Sequence, residues 1–408
     1  MKKVIALLLA LMMMVGMLAG CSDSGSGNNN DQPSGGSNAS TGNEGNNGGD
    51  VGVPLDGSWP AEKVKIGVVA FDPSDESFMA VMDYFEYLAK SFNVEFTVSE
   101  ALQSAEQEFA FIDSCKAAGC QGIFAYYNIA GAEAIKHATS QEMYYWGIEQ
   151  FYADMADDPY YVGTYTFSDP SDPSGKTGDY QAGYELGLTM GNSGLDHIAF
   201  CNGGASFGVQ MFIERQQGFF DGIAAAQANG SATRFDPASD VIEGFPGDSY
   251  FAAQAAFFAG DYDGVAVSFD AFTWFQPIID AGKDIKVGCV GTVSETYKAF
   301  VDNGTVIALV YDCGEYVFGS GFADLVNAAT GHADLTRGSD GKALLNPAQR
   351  WVLSGADNFN AVFDKHITQD EYFITAEDMA AILGGINADA TADDVCALFD
   401  ASLEDALK

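Results

Sequence analysis

Short apolar runs alternate with amphipathic stretches along most of this chain of 408 residues, beginning near residue 64. The runs have the length of buried strands and fall into two series: residues 64–70, 94–99, 122–127 and 143–148, then 197–201, 241–245, 264–269, 285–290 and 306–311. This β-α alternation predicts parallel sheets with right-handed crossovers and helices on both faces. The series breaks near residues 168–178. We therefore expect an α/β protein of two Rossmann-like, doubly wound lobes.

Acidic residues outnumber basic ones, 57 Asp and Glu against 18 Lys and Arg, which gives a formal net charge of −39. Nucleic-acid binding gains its affinity from basic surfaces that release counterions from phosphates. The composition therefore excludes nucleic acid as a partner. It also disfavours electrostatic docking onto anionic lipid.

The first twenty residues have the pattern of an export signal. Lys2 and Lys3 precede an apolar run at residues 4–18, which is too short to span a membrane. The run ends in Leu18-Ala19-Gly20-Cys21, which resembles the lipobox of bacterial lipoproteins. The resemblance implies that residues 1–20 are a signal peptide and that lipidation of Cys21 anchors the chain to the outer face of the cell membrane. An ordinary secretory signal followed by a chance cysteine is the alternative.

The segment after the lipobox is almost free of apolar side chains, with Ala39 as the only aliphatic residue between positions 22 and 50. Such a segment cannot bury enough surface to offset its loss of conformational entropy. We expect residues 21–57 to form a disordered tether that begins at the lipidated Cys21.

Six further cysteines are Cys115, Cys120, Cys201, Cys289, Cys313 and Cys396. No Cys-x-x-Cys pair occurs and the chain has 4 histidines, so no zinc-binding spacing is present. Cys201 and Cys289 lie inside predicted strands, and we expect the cysteines to act as small buried apolar side chains. Disulfide bonds between them are the alternative, because an exported chain meets oxidising conditions. The sequence predicts no metal and no cofactor.

Five motifs, each weak alone, follow one another in a specific order: Asp75-Glu76-Ser77-Phe78-Met79, residues 107–113, residues 117–123, Glu214-Arg215-Gln216-Gln217-Gly218-Phe219, and residues 281–287 followed by Gly291-Thr292. In this order they resemble the motifs of the type I periplasmic binding proteins, the ribose-binding-like receptors of bacterial ABC sugar importers. The resemblance covers about residues 64–330.

The resemblance implies two lobes joined by a three-segment hinge, with the ligand held between the lobes. The crossings are expected near residues 164–179, near 311–314 and after 330. Lobe 1 would comprise residues 58–165 plus 313–335, and lobe 2 residues 166–312 plus 336–367. Residues 368–408 form a helical C-terminal extension, in which Thr375 and Thr391 are expected N-caps. We expect this extension to pack on a lobe, and a role in docking a partner is the alternative.

The resemblance also implies which positions face the ligand, although most of the side chains differ from those of the family. The candidate ligand-binding residues are Asp75, Glu76, Phe78, Met79, Tyr127, Glu149, Gln150, Phe207, Phe269, Asp270, Trp274, Tyr311 and Asp312. Two positions where the family has a ligand-facing arginine hold Gln150 and Ile213. Aromatic rings suit stacking on a sugar or a nucleobase, and carboxylates accept hydrogen bonds from hydroxyls. We therefore expect a neutral sugar or polyol, or a ligand that bears an amine.

The function that follows from the resemblance is that of a monomeric, lipid-anchored solute-binding protein that delivers a sugar to an ABC permease and catalyses no reaction. A sensory receptor for a nucleoside, amine or sugar is the alternative within the same fold. A more distant alternative is an exported hydrolase, because Gly204-Ala205-Ser206-Phe207-Gly208 has the G-x-S-x-G pattern of a nucleophile elbow after a predicted strand.

Overall fold

The computed structural model describes residues 53–148, 151–167, 178–244, 247–369 and 371–408, apart from the side chains of Glu76 and Asp248. The expected signal peptide, the lipidation site Cys21 and almost all of the expected tether lie outside these residues. In the part of the chain that was searched, no helix has the length and apolar character needed to cross a membrane.

The strands are β1 Val64–Val69, β2 Val94–Val98, β3 Gly122–Ala125, β4 Tyr144–Trp146, β5 Tyr161–Thr166, β6 Ile198–Asn202, β7 Val241–Glu243, β8 Gly264–Val267, β9 Lys286–Gly291, β10 Val306–Tyr311, β11 Leu344–Pro347 and β12 Trp351–Ser354. All the strands that the sequence predicts are present. Strands β5, β11 and β12 were not predicted, and their apolar runs are shorter or interrupted by polar residues.

The helices are α1 Glu76–Ser91, α2 Ala105–Ala117, α3 Ala132–Thr139, α4 Gly178–Gly191, α5 Gln210–Ala228, α6 Asp248–Ala259, α7 Phe272–Ala281, α8 Glu295–Asp302, α9 Gly314–Ala329, α10 Gly355–Phe363, α11 Ala376–Ala381, α12 Ala392–Phe399 and α13 Leu403–Ala406. Single 3₁₀ turns occur at Ala153–Met155, Ala205–Phe207 and Ala333–Thr336, and a π-helical segment at Asp364–Thr368.

Two six-stranded sheets form within the described residues. The first has the order β11-β5-β4-β3-β1-β2 with every neighbouring pair parallel. The second has the order β12-β10-β9-β8-β6-β7 and is parallel except where β12 pairs with β10. Central strands such as β3 and β8 are buried along their whole length, as a sheet covered by helices on both faces requires. The predicted fold class of two doubly wound lobes is thereby confirmed.

Local sequence signals fix several helix ends. The carboxylate of Asp75 accepts a hydrogen bond from the Phe78 amide at 2.9 Å and caps α1. Helix α2 ends in a Schellman motif, in which Gly119 adopts a φ of 80° and the Cys120 amide donates to the Cys115 carbonyl at 2.9 Å. Cys115 and Cys120, both buried, supply the apolar contact that accompanies this motif.

The chain passes from lobe 2 to lobe 1 between Tyr311, which ends β10, and α9, which packs against the first sheet. It returns between Pro347 and Trp351, because β11 belongs to the first sheet and β12 to the second. This corrects the expected division, which placed residues 336–367 in lobe 2. Residues 336–347 belong with lobe 1, since β11 pairs with β5, and the short run ending in Asn346-Pro347 gave no clear strand pattern.

A further passage between the lobes follows α10, which packs on β10, β12 and α8 of lobe 2. The π-helical segment Asp364–Thr368 then leads to the C-terminal helices, and α12 packs on α9 and β11 of lobe 1. Capping boxes at Thr375 and Thr391 begin α11 and α12, as the sequence indicated. The side chains of Met379 and Phe399 have no exposed area. The C-terminal extension is therefore an integral part of the core of lobe 1.

Candidate functional site

A cavity of about 570 Å³ lies between the two lobes. Its walls come from residues that follow the carboxyl ends of strands in both sheets, including Tyr126 and Tyr127 after β3, Phe269 and Asp270 after β8, and Thr292 after β9. Ligands of open α/β sheets bind at these strand ends. The volume falls within the range of about 300–1,000 Å³ that is usual for small-molecule sites.

Another depression, of about 580 Å³, lies beside His197 at the opposite, amino-terminal end of β6. Its polar side chains are already paired with one another or with neighbours: His197 contacts Asp240 at 3.2 Å and Asp261 at 2.9 Å, and Arg234 contacts Asp261 at 2.9 Å. The interlobe cavity is therefore the better candidate for a ligand site.

Aromatic side chains form the wall that lobe 1 contributes. Tyr127 is 38% exposed and packs against Phe71 with ring centroids 4.9 Å apart. Tyr126 packs edge-on against Phe78, with ring centroids 5.1 Å apart, and in a tilted arrangement against Phe318 of α9, also at 5.1 Å. The tyrosine rings that border the cavity are therefore supported from behind, which favours a preformed stacking surface.

A fixed carboxylate, that of Asp270, marks the wall that lobe 2 contributes. It accepts hydrogen bonds from the Tyr297 hydroxyl at 3.0 Å and from the Thr292 amide at 3.3 Å. Burial, together with the nearby Cys289 and Asp270, holds the pKa of Tyr297 well above its ordinary value. Tyr297 therefore stays a neutral donor and holds Asp270 in place against the cavity.

Four charged side chains link the lobe crossings to the cavity. Arg350, in the passage from β11 to β12, donates to Asp312 at 2.7 Å and lies 3.6 Å from Asp179. Arg215, which lines the cavity, donates to the same Asp179 at 2.8 Å and to the Ser268 carbonyl at 2.8 Å. Burial alone lowers the pKa of Arg350, but the attraction of Asp312 and Asp179 outweighs it and raises that pKa above its ordinary value. Both arginines are thus paired with carboxylates.

The close approach of α4 and α5 brings Asp179 and Arg215 together. A Cβ atom at Gly183 would lie 2.0 Å from the Arg215 carbonyl oxygen, and one at Gly218 would lie 1.9 Å from the Tyr180 carbonyl oxygen. Only glycine permits backbones to approach this closely. Gly218 of the motif that begins at Glu214, together with Gly183 of α4, therefore has a packing role that positions the charged network.

Five of the sequence-predicted residues lie in the wall of the cavity: Tyr127, Phe269, Asp270, Tyr311 and Asp312. Tyr311 is 8% exposed. Its burial, together with Cys313, Glu315 and Asp312, raises the pKa of its hydroxyl well above the ordinary value. Tyr311 is therefore a neutral hydrogen-bonding group at the hinge.

Two predicted stacking residues lie in hydrophobic cores instead of in the cavity wall. Phe78 is 3% exposed and packs on Tyr126 from the inward face of α1. Trp274 is fully buried on the inward face of α7, between Tyr250 and Phe257. Apolar side chains on the sheet-facing side of a helix are taken into the core, so neither ring is available to a ligand.

The remaining predicted residues do not line the cavity or are not described. Asp75 caps α1. Met79 and Phe207 are 44% and 56% exposed and do not belong to the cavity wall. The side chain of Glu76, and Glu149 and Gln150 entirely, lie outside the described residues.

Several lining residues were not predicted, among them Arg215, Tyr84, Glu315, His366 and Tyr372. Tyr84 is on the face of α1 towards the C-terminal segment, where its hydroxyl donates to the Ile374 carbonyl at 3.1 Å. Arg215 was visible as part of a motif, but the sequence gave no sign that it reaches the cavity. His366 and Tyr372 belong to the further lobe passage, which no sequence pattern announced.

The nucleophile-elbow pattern around Ser206 lies in the 3₁₀ turn Ala205–Phe207 between β6 and α5. A nucleophile elbow needs a histidine partner, and the two histidines that follow Ser206 in the chain, His332 and His366, have other neighbours. His332 packs beside Gly384 in lobe 1, and His366 contacts Glu315. In the described part of the chain, Ser206 therefore has no histidine to activate it.

Solved structures share this fold at low sequence identity. A galactofuranose-binding protein has a TM-score of 0.54 at 15% identity over 74% of this chain and 98% of that protein. An ABC transporter solute-binding protein of Actinobacillus succinogenes with bound D-allose has a TM-score of 0.54 at 14% identity over 73% and 99%. A solute-binding protein of Bacillus halodurans with bound myo-inositol has a TM-score of 0.53 at 14% identity over 74% and 98%.

A regulator has the same fold. The Escherichia coli transcriptional repressor ascG has a TM-score of 0.51 at 14% identity over 71% of this chain and 96% of that protein. No protein-family model matches the sequence, and no curated protein matches it. These likenesses therefore establish the fold.

Proposed function

We propose that this chain, which has the two-lobed fold of the type I periplasmic binding proteins, captures a neutral sugar or polyol between its lobes without converting it. We further propose that it acts outside the cytoplasm, anchored through Cys21, and delivers its ligand to an ABC permease. The lipobox motif at residues 18–21 is the basis for the anchor. The solute-binding structures with bound D-allose and myo-inositol support the class of ligand.

The observation that carries the proposal is the pairing of walls across the cavity. Tyr126 and Tyr127 border it from lobe 1, and the fixed carboxylate of Asp270 borders it from lobe 2. A sugar ring has one apolar face for an aromatic side chain and hydroxyls that donate to a carboxylate. Because the two walls belong to different lobes, a ligand that contacts both would favour the closed arrangement.

The charges of the cavity oppose an anionic ligand. Asp83, Asp270 and Glu315 line it, whereas the lining Arg215 is paired with Asp179 and the lining Asp312 with Arg350. A carboxylate or phosphate on the ligand would meet like charge in a partly desolvated site. The same excess of acid, −39 over the chain, opposes DNA binding, which needs a basic surface. The role of a binding protein therefore fits this chain better than that of a repressor with the same fold.

A thermal-shift screen of the full chain with neutral sugars, polyols, nucleosides, amines and sugar phosphates tests the proposal. A ligand present at 100 times its dissociation constant stabilises the folded state by about 2.7 kcal/mol, and we expect shifts of this kind with sugars or polyols. The ligand should be recovered unchanged. Shifts with sugar phosphates alone would contradict the proposed charge preference. If the protein forms a product and Ser206→Ala abolishes that activity, the chain is a hydrolase and the proposed binding function is wrong.

A further inference from the structure

Three side chains with metal-binding atoms meet at the hinge: Cys313, Glu315 and His366. The Cys313 sulfur, a Glu315 carboxylate oxygen and a His366 ring nitrogen all lie within 4.8 Å of one another. Cys313 and Glu315 are at the start of α9, in the passage from lobe 2 to lobe 1. His366 is in the π-helical segment Asp364–Thr368, in the passage that follows α10. Single-turn π segments are frequent at functional sites.

The Glu315 carboxylate is held in a fixed orientation. Its Oε2 atom accepts hydrogen bonds from the backbone amides of Phe373 and Ile374, the latter at 3.0 Å. The side chain is 4% exposed. Because these two amides hold Oε2, the other carboxylate oxygen, Oε1, also has a fixed position, 2.6 Å from the Nε2 atom of His366.

The contact between Glu315 and His366 lacks the geometry of a hydrogen bond. Nε2 of His366 is buried, and among the described residues it has no partner that meets the angular requirement, although Oε1 is 2.6 Å away. The Nε2 atom is thus a buried ring nitrogen that faces two other possible metal ligands, the Glu315 carboxylate and the Cys313 sulfur. Binding of one tetrahedral Zn²⁺ would move Nε2 and Oε1 apart to about 3.3 Å, because each bond to the metal is about 2.0–2.1 Å long. The buried sulfur of Cys313 supplies a third ligand of a type that zinc prefers.

We propose that Cys313, Glu315 and His366 bind a transition-metal ion, and that Zn²⁺ is the ion that fits one sulfur, one nitrogen and one oxygen ligand. Such mixed sets are typical of zinc, whereas Ca²⁺ and Mg²⁺ require oxygen ligands. The site goes beyond the proposed function and does not depend on the identity of the ligand.

The site would have a coordination position open to the interlobe cavity. Glu315 and His366 line the cavity, and Cys313 is fully buried behind them. Zinc sites with three protein ligands complete their coordination with water or with a bound molecule. Because the ligands come from two different lobe passages, metal binding would also tie these passages together at the hinge.

The three ligands are at positions 313, 315 and 366, so no short zinc motif exists in the sequence, and the expectation of no metal rested on that absence. The fold brings the third ligand to the other two because the segment after α10 returns to lobe 1. This is the step that sequence spacing does not reveal.

Metal titration of the full chain tests the site. After treatment with a chelator, the protein should take up one equivalent of Zn²⁺ in calorimetry. With Co²⁺ it should show the thiolate-to-metal charge-transfer absorption that a cysteine ligand produces. Cys313→Ser should abolish this absorption, and the matched control Cys396→Ser should retain it. His366→Gln removes a ligand, so it should weaken Zn²⁺ binding by more than the roughly tenfold that loss of an outer-shell partner costs. His137→Gln, which removes an exposed pair with Asp113, should leave Zn²⁺ binding unchanged.

Two results would overturn the proposal. One is the absence of stoichiometric Zn²⁺ binding by the wild-type chain, which would leave Glu315 and His366 as a simple ion pair. The other is a charge-transfer band that survives in Cys313→Ser, which would place the metal elsewhere. Circular dichroism checks that the variants fold, and His366→Gln decides the matter if Cys313→Ser does not. Sugar binding by the chelator-treated protein is measured separately, so failure of the metal site and failure of the proposed function give different results.

Discussion

Replacing Arg350 by Met should destabilise the protein because it leaves Asp312 without its partner and leaves Asp179 paired with Arg215 alone. The guanidinium donates to Asp312 at 2.7 and 3.3 Å and to the Gly178 carbonyl, and it lies over the Phe167 ring at 4.0 Å. Methionine keeps most of the apolar volume and removes the charge.

The magnitude follows from the burial of the partners. Breaking a fully buried ion pair by removing one partner costs about 3–5 kcal/mol. The Arg350 side chain is 9% exposed, but that of Asp312 is 33% exposed, so water can partly solvate the abandoned carboxylate. We therefore expect a loss of about 2–4 kcal/mol in the free energy of unfolding. Lysine at this position keeps the charge and loses the bidentate geometry, so Arg350→Lys should fall between the wild type and Arg350→Met.

Equilibrium unfolding in urea, followed by circular dichroism, measures these losses. The matched control is Arg234→Met, because Arg234 makes an exposed pair with Asp261 in which the side chains are 59% and 72% exposed. Exposed pairs contribute about 0–1 kcal/mol. Equal losses for Arg350→Met and Arg234→Met, at an unchanged dependence on urea concentration, would refute the assignment of a stabilising role to the hinge network.

Three further predictions concern packing, pH and anchoring. Gly218→Ala should lower the free energy of unfolding in urea by about 1–3 kcal/mol or more, because the new Cβ atom would lie 1.9 Å from the Tyr180 carbonyl oxygen. The control Gly147→Ala should lower it less, because its Cβ atom would lie an ordinary 3.5 Å from the nearest atom. Burial raises the pKa of Asp324 well above its ordinary value, so the folded state binds a proton more tightly than the unfolded state. The stability that this proton binding contributes is present at low pH, and it is lost as the pH rises above about 3.8 and through the pKa of the folded state. Its part of the pH dependence, at most about 1.4 kcal/mol per pH unit, should be absent from Asp324→Asn when unfolding is measured from pH 5 to 7. The Cys21→Ala protein should be absent from the membrane fraction of cells, because it has no lipid anchor. Retention of this variant in the membrane fraction would contradict the lipid anchor.

The strand-helix order was predictable because parallel strands are buried on both faces and therefore appear as continuous apolar runs. Strands β1 and β10, for example, occur at the positions that the sequence indicates. The residues of β11, which was not predicted as a strand, were placed in the wrong lobe because the pattern of a short edge strand contains no information about which sheet it joins. The parallel pairing of β11 with β5, which begins at Leu344 and Gly163, decides this.

The candidate site was predictable where a residue directly follows a strand and not where it lies on a helix. Tyr127, Asp270 and Tyr311 are at or next to strand ends, and all line the cavity. Phe78 and Trp274 are on helices, and each belongs to the apolar helical face that packs on the sheet. Both rings are therefore in the core.

Long-range pairing accounts for the remaining residues. Arg350 meets Asp312 and Asp179, and His366 meets Glu315, across separations that only the lobe passages bring together. The charged and metal-binding groups of the hinge are thus properties of the tertiary fold, and no local motif announces them.

The central claim is that a neutral sugar or polyol binds between the lobes and donates hydroxyls to Asp270. Calorimetric titration of the best ligand from the screen, into the wild type and into Asp270→Asn at two salt concentrations, tests it most directly. We predict that Asp270→Asn weakens binding by about 1–3 kcal/mol, the usual size for a lost hydrogen bond to a charged group. The surface control Asp302→Asn, which removes only a pair with Lys298, should bind as the wild type does. Added salt should leave the affinity for a neutral ligand almost unchanged, because screening acts on charges. Wild-type affinity in Asp270→Asn, or tight binding of a sugar phosphate in its place, would contradict the account.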